Sequence, residues 1–150
     1  MYQRILVPID GSPTANRGLK EAIALAKLTG AQLRLIHVVD DLSSFIGADA
    51  LVGGAVDMMS LLREQGIKLL AVAKAQTEFA AIAVDTVLHD CFTGRISDLI
   101  VTEATAWSAD LIVIGTHGRR GVERLFMGSD AEQILRVAPV PVLLVRVKTT

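Results

Sequence analysis

Several residue types are scarce in this sequence, and each scarcity excludes a class of protein. One of the 150 residues is a cysteine, Cys91. The chain therefore cannot hold an internal disulfide, and we expect it in a reducing compartment, the cytoplasm. The 15 Lys and Arg residues are balanced by 16 Asp and Glu residues, for a formal net charge of -1. Because binding to a nucleic-acid backbone requires uncompensated positive charge, we expect no nucleic-acid partner.

Long apolar runs are also lacking, although the mean hydropathy is positive at +0.48. Every apolar run is shorter than the roughly 20 residues that span a bilayer, and charge or glycine interrupts it. Residues 1–5 lead directly into a strand-like segment rather than a signal peptide. We therefore expect neither a membrane segment nor a secretory signal.

What the sequence has in abundance is aliphatic residues, since 51% of the chain is hydrophobic and 4% is aromatic. Such a composition is typical of parallel strands that are buried on both faces beneath helices. The length predicts a single domain over residues 1–150.

Short β-branched runs alternate with stretches of helical period along the chain. The predicted strands are 5–9, 33–39, 84–89, 111–114 and 142–146. The first helix has Ser12 as its N-cap, Pro13 at its first position and Gly30 as its stop. Further helices are predicted over 58–82, over 96–107 and from Ser129, where Ser129 to Glu132 reads as a capping box. The alternation predicts a doubly wound, Rossmann-like parallel sheet, and we expect the strand order 3-2-1-4-5.

In such sheets the ligand lies beyond the carboxyl ends of the strands, where the strand order reverses. Those positions are 10–12, 37–41, 89–91 and 115 onward. The last segment has glycines directly after a strand, three arginines (Arg119, Arg120 and Arg124), and Gly128-Ser129 opening a helix. Glycines let backbone N–H groups approach an anion, and a helix N-terminus adds unpaired donors, so the segment favours phosphate binding. The alternative is that the glycines only form turns and that Ser129 only caps its helix.

Taken together, the motifs identify a family resemblance over essentially the whole chain. The pattern Gly115-x2-Gly118-x9-Gly128-Ser129 resembles the nucleotide-binding signature of the universal stress proteins. Residues 5–12, 35–39 and 138–146 resemble the first, second and last strands of that family with their adjoining turns. The resemblance implies the fold of the adenine nucleotide alpha hydrolase-like proteins.

The resemblance also implies a function, which is binding of ATP in stress response and regulation. The strand end Pro8-Ile9-Asp10 and the main chain of Val38 would hold adenine and ribose. Phosphates bridged by Mg²⁺ or Mn²⁺ would lie against the glycine-rich segment, on Gly115, Thr116, Gly118, Arg119, Gly128 and Ser129. The family pairs its last strand in a two-fold homodimer, here Val142 to Val145, which would cover an apolar sheet edge.

Two features depart from the family pattern. The Gly-x-Pro turn common after the third strand is replaced by residues 89–94. Asp130 and Glu132 also bring negative charge to the helix end that would face phosphate, where an acid opposes an incoming anion by about 0.3–1 kcal/mol.

Individual residues keep more than one interpretation. Asp10 is either a turn residue that accepts backbone N–H groups, or a ligand of ribose or of the metal. His37, His89, His117 and Cys91 all lie near strand ends, but the predicted order puts the third and fourth strands too far apart for one zinc ion. Met58, Met59 and Phe79 are expected in the core or a lid. The segment from Asp40 to Gly54 is either a lid or disordered.

Three functions therefore compete. A nucleotide-dependent regulator is favoured, because no general base is evident to activate water and any ATP hydrolysis should be slow. The alternatives are a dimeric interaction module that binds no ATP, and a slow nucleotide hydrolase.

Overall fold

In the computed structural model, which describes residues 1–40, 54–116 and 127–147, strands and helices alternate along the chain. The strands are β1 (Arg4–Pro8), β2 (Gln32–Asp40), β3 (Val84–Cys91), β4 (Leu111–Gly115) and β5 (Val142–Val145). The helices are α1 (Pro13–Thr29), α2 (Gly54–Phe79), α3 (Ile96–Ala106) and α4 (Ser129–Val137). None of the helices in these ranges is long and apolar enough to span a bilayer.

The strands form one parallel sheet in the order β3-β2-β1-β4-β5, which confirms the predicted fold. The direction of winding reverses between β1 and β4, and the carboxyl ends of these two strands therefore diverge into a crevice. β3 and β5 lie at the two edges of the sheet.

Helices cover both faces of the sheet, so the aliphatic strands are buried on either side. On one face Leu19 of α1 and Leu70 of α2 pack against alternate residues of the strands, such as Leu35. On the other face Ile100 of α3 and Ile134 of α4 pack against the intervening residues. This two-sided burial explains why the strands read as continuous apolar runs.

The ends of α1 match the sequence prediction. The Ser12 hydroxyl accepts the N–H of Ala15 at 3.1 Å, and Pro13 occupies the first turn. Gly30 ends the helix in the left-handed conformation, at φ +74°. These caps fix where the chain leaves β1 and enters α1.

Two local predictions are wrong. Residues 129–132 do not form a capping box: the N-cap of α4 is Gly128, no side chain caps it, and Ser129 is already the first helical residue. Phe79 lies neither in the core nor under a lid, because it is the last residue of α2 and is 96% exposed. Residues 41–53, the bulk of the segment expected to be either a lid or disordered, lie outside the described part of the chain.

A charged network joins the sheet to α3. The guanidinium of Arg34, on β2, donates to Asp85 of β3 and to Glu103 of α3, each at 2.7 Å. The second carboxylate oxygen of Glu103 lies 3.0 Å from Nε2 of His89. The Arg34 guanidinium also stacks 4.7 Å from the ring centroid of Trp107.

These contacts shift two ionisation equilibria. Burial of Glu103 raises its pKa, but the hydrogen bonds from His89 and Arg34 outweigh burial and hold the pKa below its ordinary value of 4.5. The pKa of Arg34 is raised, because its hydrogen bond to Asp85 outweighs burial, which lowers the pKa.

Candidate functional site

A cavity of about 540 Å³ opens where β1 and β4 diverge. Its walls are the carboxyl ends of β1, β2 and β4, the loop before α3 and the first turn of α4. The volume falls within the range of about 300–1,000 Å³ that is usual for small-molecule sites. The cavity is therefore where the rule for doubly wound sheets puts a ligand.

Most of the residues predicted for the site lie on this cavity. Its lining includes Pro8, Ile9, Asp10, Val38, Gly115, Gly128 and Ser129. Thr116 is buried directly beside it; its N–H donates to Val145 at 3.0 Å, and its carbonyl accepts from Gly128 at 2.7 Å. Thr116 therefore joins β4 to β5 and to the start of α4. Gly118 and Arg119 lie outside the described residues.

Asp10 has the turn contact that the sequence predicted. Its Oδ1 accepts the N–H of Ser12 at 2.8 Å, across Gly11 at φ +81°. The same side chain lines the cavity. Asp10 thus combines the turn contact with a position on the cavity wall.

Gly115 allows the start of α1 to approach the end of β4. A Cβ atom at this position would lie 2.6 Å from the carbonyl carbon of Thr14 and 2.8 Å from the nitrogen of Ala15. Since both are backbone atoms, only glycine allows this approach.

The first turn of α4 brings two acidic residues near the cavity, but only one lines it. Asp130 is part of the lining. The Glu132 carboxylate is paired with Arg136 one turn along α4, at 2.7 Å. Of the two charges that the sequence sets against a phosphate, Asp130 is therefore the relevant one.

His37 is a buried polar side chain on the cavity wall, 6% exposed. Its Nδ1 lies 2.6 Å from the carbonyl oxygen of Ile9. The sequence marked this position as one near the end of the second strand and considered it as a zinc ligand, but did not predict the contact with Ile9.

Three of the lining residues that the sequence prediction missed follow β3. Gly94, Arg95 and Ile96 line the cavity, and the guanidinium of Arg95 donates to the side chain of Gln133 at 3.2 Å. The rule that ligands lie at the carboxyl ends of strands pointed to residues 89–91, directly after the third strand. The residues that line the cavity are instead Gly94, Arg95 and Ile96, at the end of the loop between β3 and α3. Among the described lining residues, Arg95 is the cation, and Asp10, Asp40 and Asp130 are the anions.

The histidines and cysteine near the strand ends have separate contacts. His89 faces Glu103, and the thiol of Cys91 lies 3.9 Å from the carbonyls of Thr93 and Gly94. Within 1–40, 54–116 and 127–147, no three His, Cys, Asp or Glu residues are grouped to hold a metal ion. His117 lies outside these ranges.

The sheet order defines a doubly wound α/β protein with a cavity at the carboxyl end of its sheet. The chain belongs to the Universal stress protein family, whose family model matches residues 1–146. It is 37% identical to a universal stress protein of Methanocaldococcus jannaschii, over 97% of this chain and 83% of that protein. It is also 36% identical to the universal stress protein A homolog 2 of Coxiella burnetii, over 98% of this chain and 97% of that protein.

Solved structures show the same fold. The protein MJ0577 of Methanocaldococcus jannaschii superposes with a TM-score of 0.84 at 26% identity, over 100% of this chain and 99% of that one. At 21% and 22% identity, two further structures share the fold, with TM-scores of 0.68 and 0.65. These are a universal stress protein in complex with cAMP and the Archaeoglobus fulgidus protein in complex with dAMP.

Proposed function

We propose that residues 1–150 form one nucleotide-binding domain that binds ATP in the cavity between β1 and β4. Bound nucleotide would alter its conformation or partner binding in a cytoplasmic stress response, with hydrolysis slow or absent. The observation that carries the proposal is that seven of the residues implied by the family resemblance line one cavity of ligand size. Two proteins that share the fold hold adenine nucleotides, which makes adenine nucleotides the first ligands to test.

The two ends of the cavity suit different parts of a nucleotide. Apolar walls from Ile36, Ile100 and Ile114 would enclose the base, and Asp10 and the Val38 main chain would contact the base and ribose. Gly115, Gly128 and Ser129 would contact the phosphates. The family resemblance adds Gly118 and Arg119 to this set. The first turn of α4 supplies N–H donors to the phosphates.

The lining also fits a divalent cation that arrives with the phosphates. Carboxylate oxygens are the donors that Mg²⁺ and Mn²⁺ prefer, and Asp10 is the side chain that would contribute one. The cation would neutralise phosphate charge beside an acidic lining. We assign it to the nucleotide rather than to a protein-only site.

Calorimetry with ATP, with and without Mg²⁺, tests this function. Gly128→Val adds a side chain at a residue that lines the cavity, while the backbone there, at φ -58° and ψ 147°, accepts any residue. We expect wild type to bind and Gly128→Val to lose most of the affinity. Ala106→Val, exposed at the end of α3, is the matched control and should bind normally. Absence of binding by wild type, or undiminished binding by Gly128→Val, would contradict the proposal.

We further propose a homodimer through β5. This strand lies at the sheet edge beyond β4, and Leu143 on it is 40% exposed. An apolar edge strand is an aggregation hazard unless another strand pairs with it. Sedimentation at micromolar concentration should give twice the 16.0 kDa mass of the chain, and Leu143→Lys should shift the protein toward monomer. A monomeric wild type would overturn the dimer.

A dimeric module that binds no nucleotide is the second candidate, favoured by the three carboxylates on the cavity wall. It predicts that freshly purified protein releases no nucleotide on denaturation. Mass spectrometry of the released small molecules decides between the two functions.

A further inference from the structure

The hydrogen-bond ladder between β1 and β2 ends at the cavity. Its last Cα pair is Pro8 with Ile36, and one more bond follows, from the N–H of Ile9 to the carbonyl of Ile36 at 2.8 Å. Alternate residues of a strand face the same neighbour in a parallel ladder, so Val38 is the next residue of β2 that faces β1. Continuation of the ladder would pair the N–H of Val38 with the carbonyl of Ile9.

The carbonyl of Ile9 has another donor, the imidazole of His37. Nδ1 of that ring lies 2.6 Å from the carbonyl oxygen. Since a carbonyl oxygen only accepts, Nδ1 carries the proton of this hydrogen bond. A side chain that is 6% exposed thus contacts the main-chain atom at which the ladder would have continued.

The position of the imidazole depends on Gly66 in α2. A Cβ atom on Gly66 would lie 2.6 Å from Cδ2 and 3.1 Å from Nε2 of His37. Glycine weakens the middle of a helix, yet here it leaves the space that the ring fills. The contact therefore joins three elements: α2 packs on the ring, which extends from β2 to the end of β1.

We propose that His37 is a positioning residue, which occupies the Ile9 carbonyl and so leaves the N–H of Val38 for the ligand. Beyond the end of β1 this N–H is directed to the cavity, where a ring nitrogen of a purine base is a suitable acceptor. The identity of the ligand rests on the proposed function. The claim that His37 replaces Val38 as the donor to the Ile9 carbonyl does not rest on the proposed function.

Which group donates to the Ile9 carbonyl is tested first without ligand, by amide hydrogen exchange resolved by NMR. In His37→Leu the Ile9 carbonyl loses its donor, so the Val38 amide should take its place and exchange on the order of tenfold more slowly. His37→Asn retains an N–H donor at a similar distance from the backbone and should leave Val38 as in wild type. Unchanged exchange of Val38 in His37→Leu would overturn the proposal.

Ligand affinity is the second readout, measured by calorimetry with ATP and AMP. We expect His37→Leu to weaken both by about tenfold, the effect of one hydrogen bond, and His37→Asn to stay within about twofold of wild type. Leu35→Val is the control for lost packing: Leu35 is fully buried on the same face of β2 and does not line the cavity. It should lower the melting temperature without this loss of affinity.

The outcomes separate the two claims. If His37→Leu binds like wild type, or no worse than Leu35→Val, the positioning role is wrong although ATP binding stands. If wild type binds neither nucleotide, the proposed function is wrong, and hydrogen exchange at Val38 alone decides the role of His37.

Discussion

The two ends of the sheet use their polar groups differently. At the amino end, the Asp110 carboxylate accepts the N–H groups of Gln3 at 2.7 Å and Arg4 at 3.0 Å, and the Arg4 guanidinium donates to the carbonyl of Trp107 at 3.0 Å. At the carboxyl end, strand termini and the first turn of α4 line a cavity instead. Contacts that hold the fold and groups that line the cavity are therefore largely segregated. Substitutions at the two ends should therefore have separable effects.

Gly115 both lines the cavity and contacts α1. A substitution at this residue should therefore change stability and nucleotide binding together. Gly115→Ala forces a Cβ against the backbone of Thr14 and Ala15, so we expect about 3 kcal/mol of destabilisation together with weaker nucleotide binding. Chemical denaturation measures the first effect and calorimetry the second.

Gly18 provides the control from the opposite side of the same contact. A Cβ on Gly18 would lie 3.5 Å from the nitrogen of Gly115, an ordinary van der Waals distance. Because alanine favours helix, Gly18→Ala should be neutral or slightly stabilising. Equal losses in the two variants would show that the close approach is not the cause.

The network at Glu103 should affect stability alone, in a pH-dependent way. The group has a lowered pKa when folded, so its contribution is present above its ordinary pKa of 4.5 and is lost as the pH falls through the lowered folded value. Glu103→Gln, which weakens the contacts to Arg34 and His89, should cost about 2 kcal/mol at pH 7. The cost should shrink below about pH 4.5, as measured by denaturation across pH. A cost that grew on acidification would contradict this assignment.

Asp110 should give a smaller effect at the amino end. Asp110→Ala removes the acceptor of two N–H groups that lie near solvent, so we expect about 1 kcal/mol of destabilisation with unchanged ATP affinity. Asp110→Asn retains an acceptor oxygen and should recover part of the loss. If Asp110→Ala lowered the ATP affinity without lowering the stability, the proposed difference between the amino and carboxyl ends of the sheet would be wrong.

The smallest effect is expected at Asp130, at the carboxyl end. Asp130→Asn removes a negative charge from the first turn of α4 and should strengthen ATP binding in EDTA by roughly two- to fivefold. Glu132→Gln makes the same charge change on the same helix, but Glu132 does not line the cavity. Comparable gains in both variants would indicate a general field effect rather than a local one.

The alternation of strands and helices and the caps of α1 were predictable from local patterns. Seven residues of the cavity lining were predictable from the family resemblance. Apolar runs mark the buried strands. Because the carboxyl ends of parallel strands meet at one edge of the sheet, the residues that follow the strands mark the expected position of a ligand site. β3 continues to Cys91, two residues beyond the predicted end, because the polar Asp90 at a sheet edge interrupts the apolar signal.

Other features depend on tertiary contacts that no local pattern contains. The contribution of Arg95 follows from how the loop after β3 lies across the sheet toward Gln133. Gly66 reads as a defect in a helix, and its use is evident only once His37 is seen against it. The capping-box pattern at residues 129–132 failed because α4 starts one residue earlier, with Gly128 as its cap.

Trp107 is the single tryptophan of the chain, and it lies beneath the Arg34 guanidinium rather than on the cavity. Its fluorescence should therefore report unfolding and the charged network at α3, and respond little to a ligand. A fluorescent nucleotide analogue would report the cavity at a different wavelength. The chain thus carries its own optical reference, which allows stability and binding to be followed in the same cuvette.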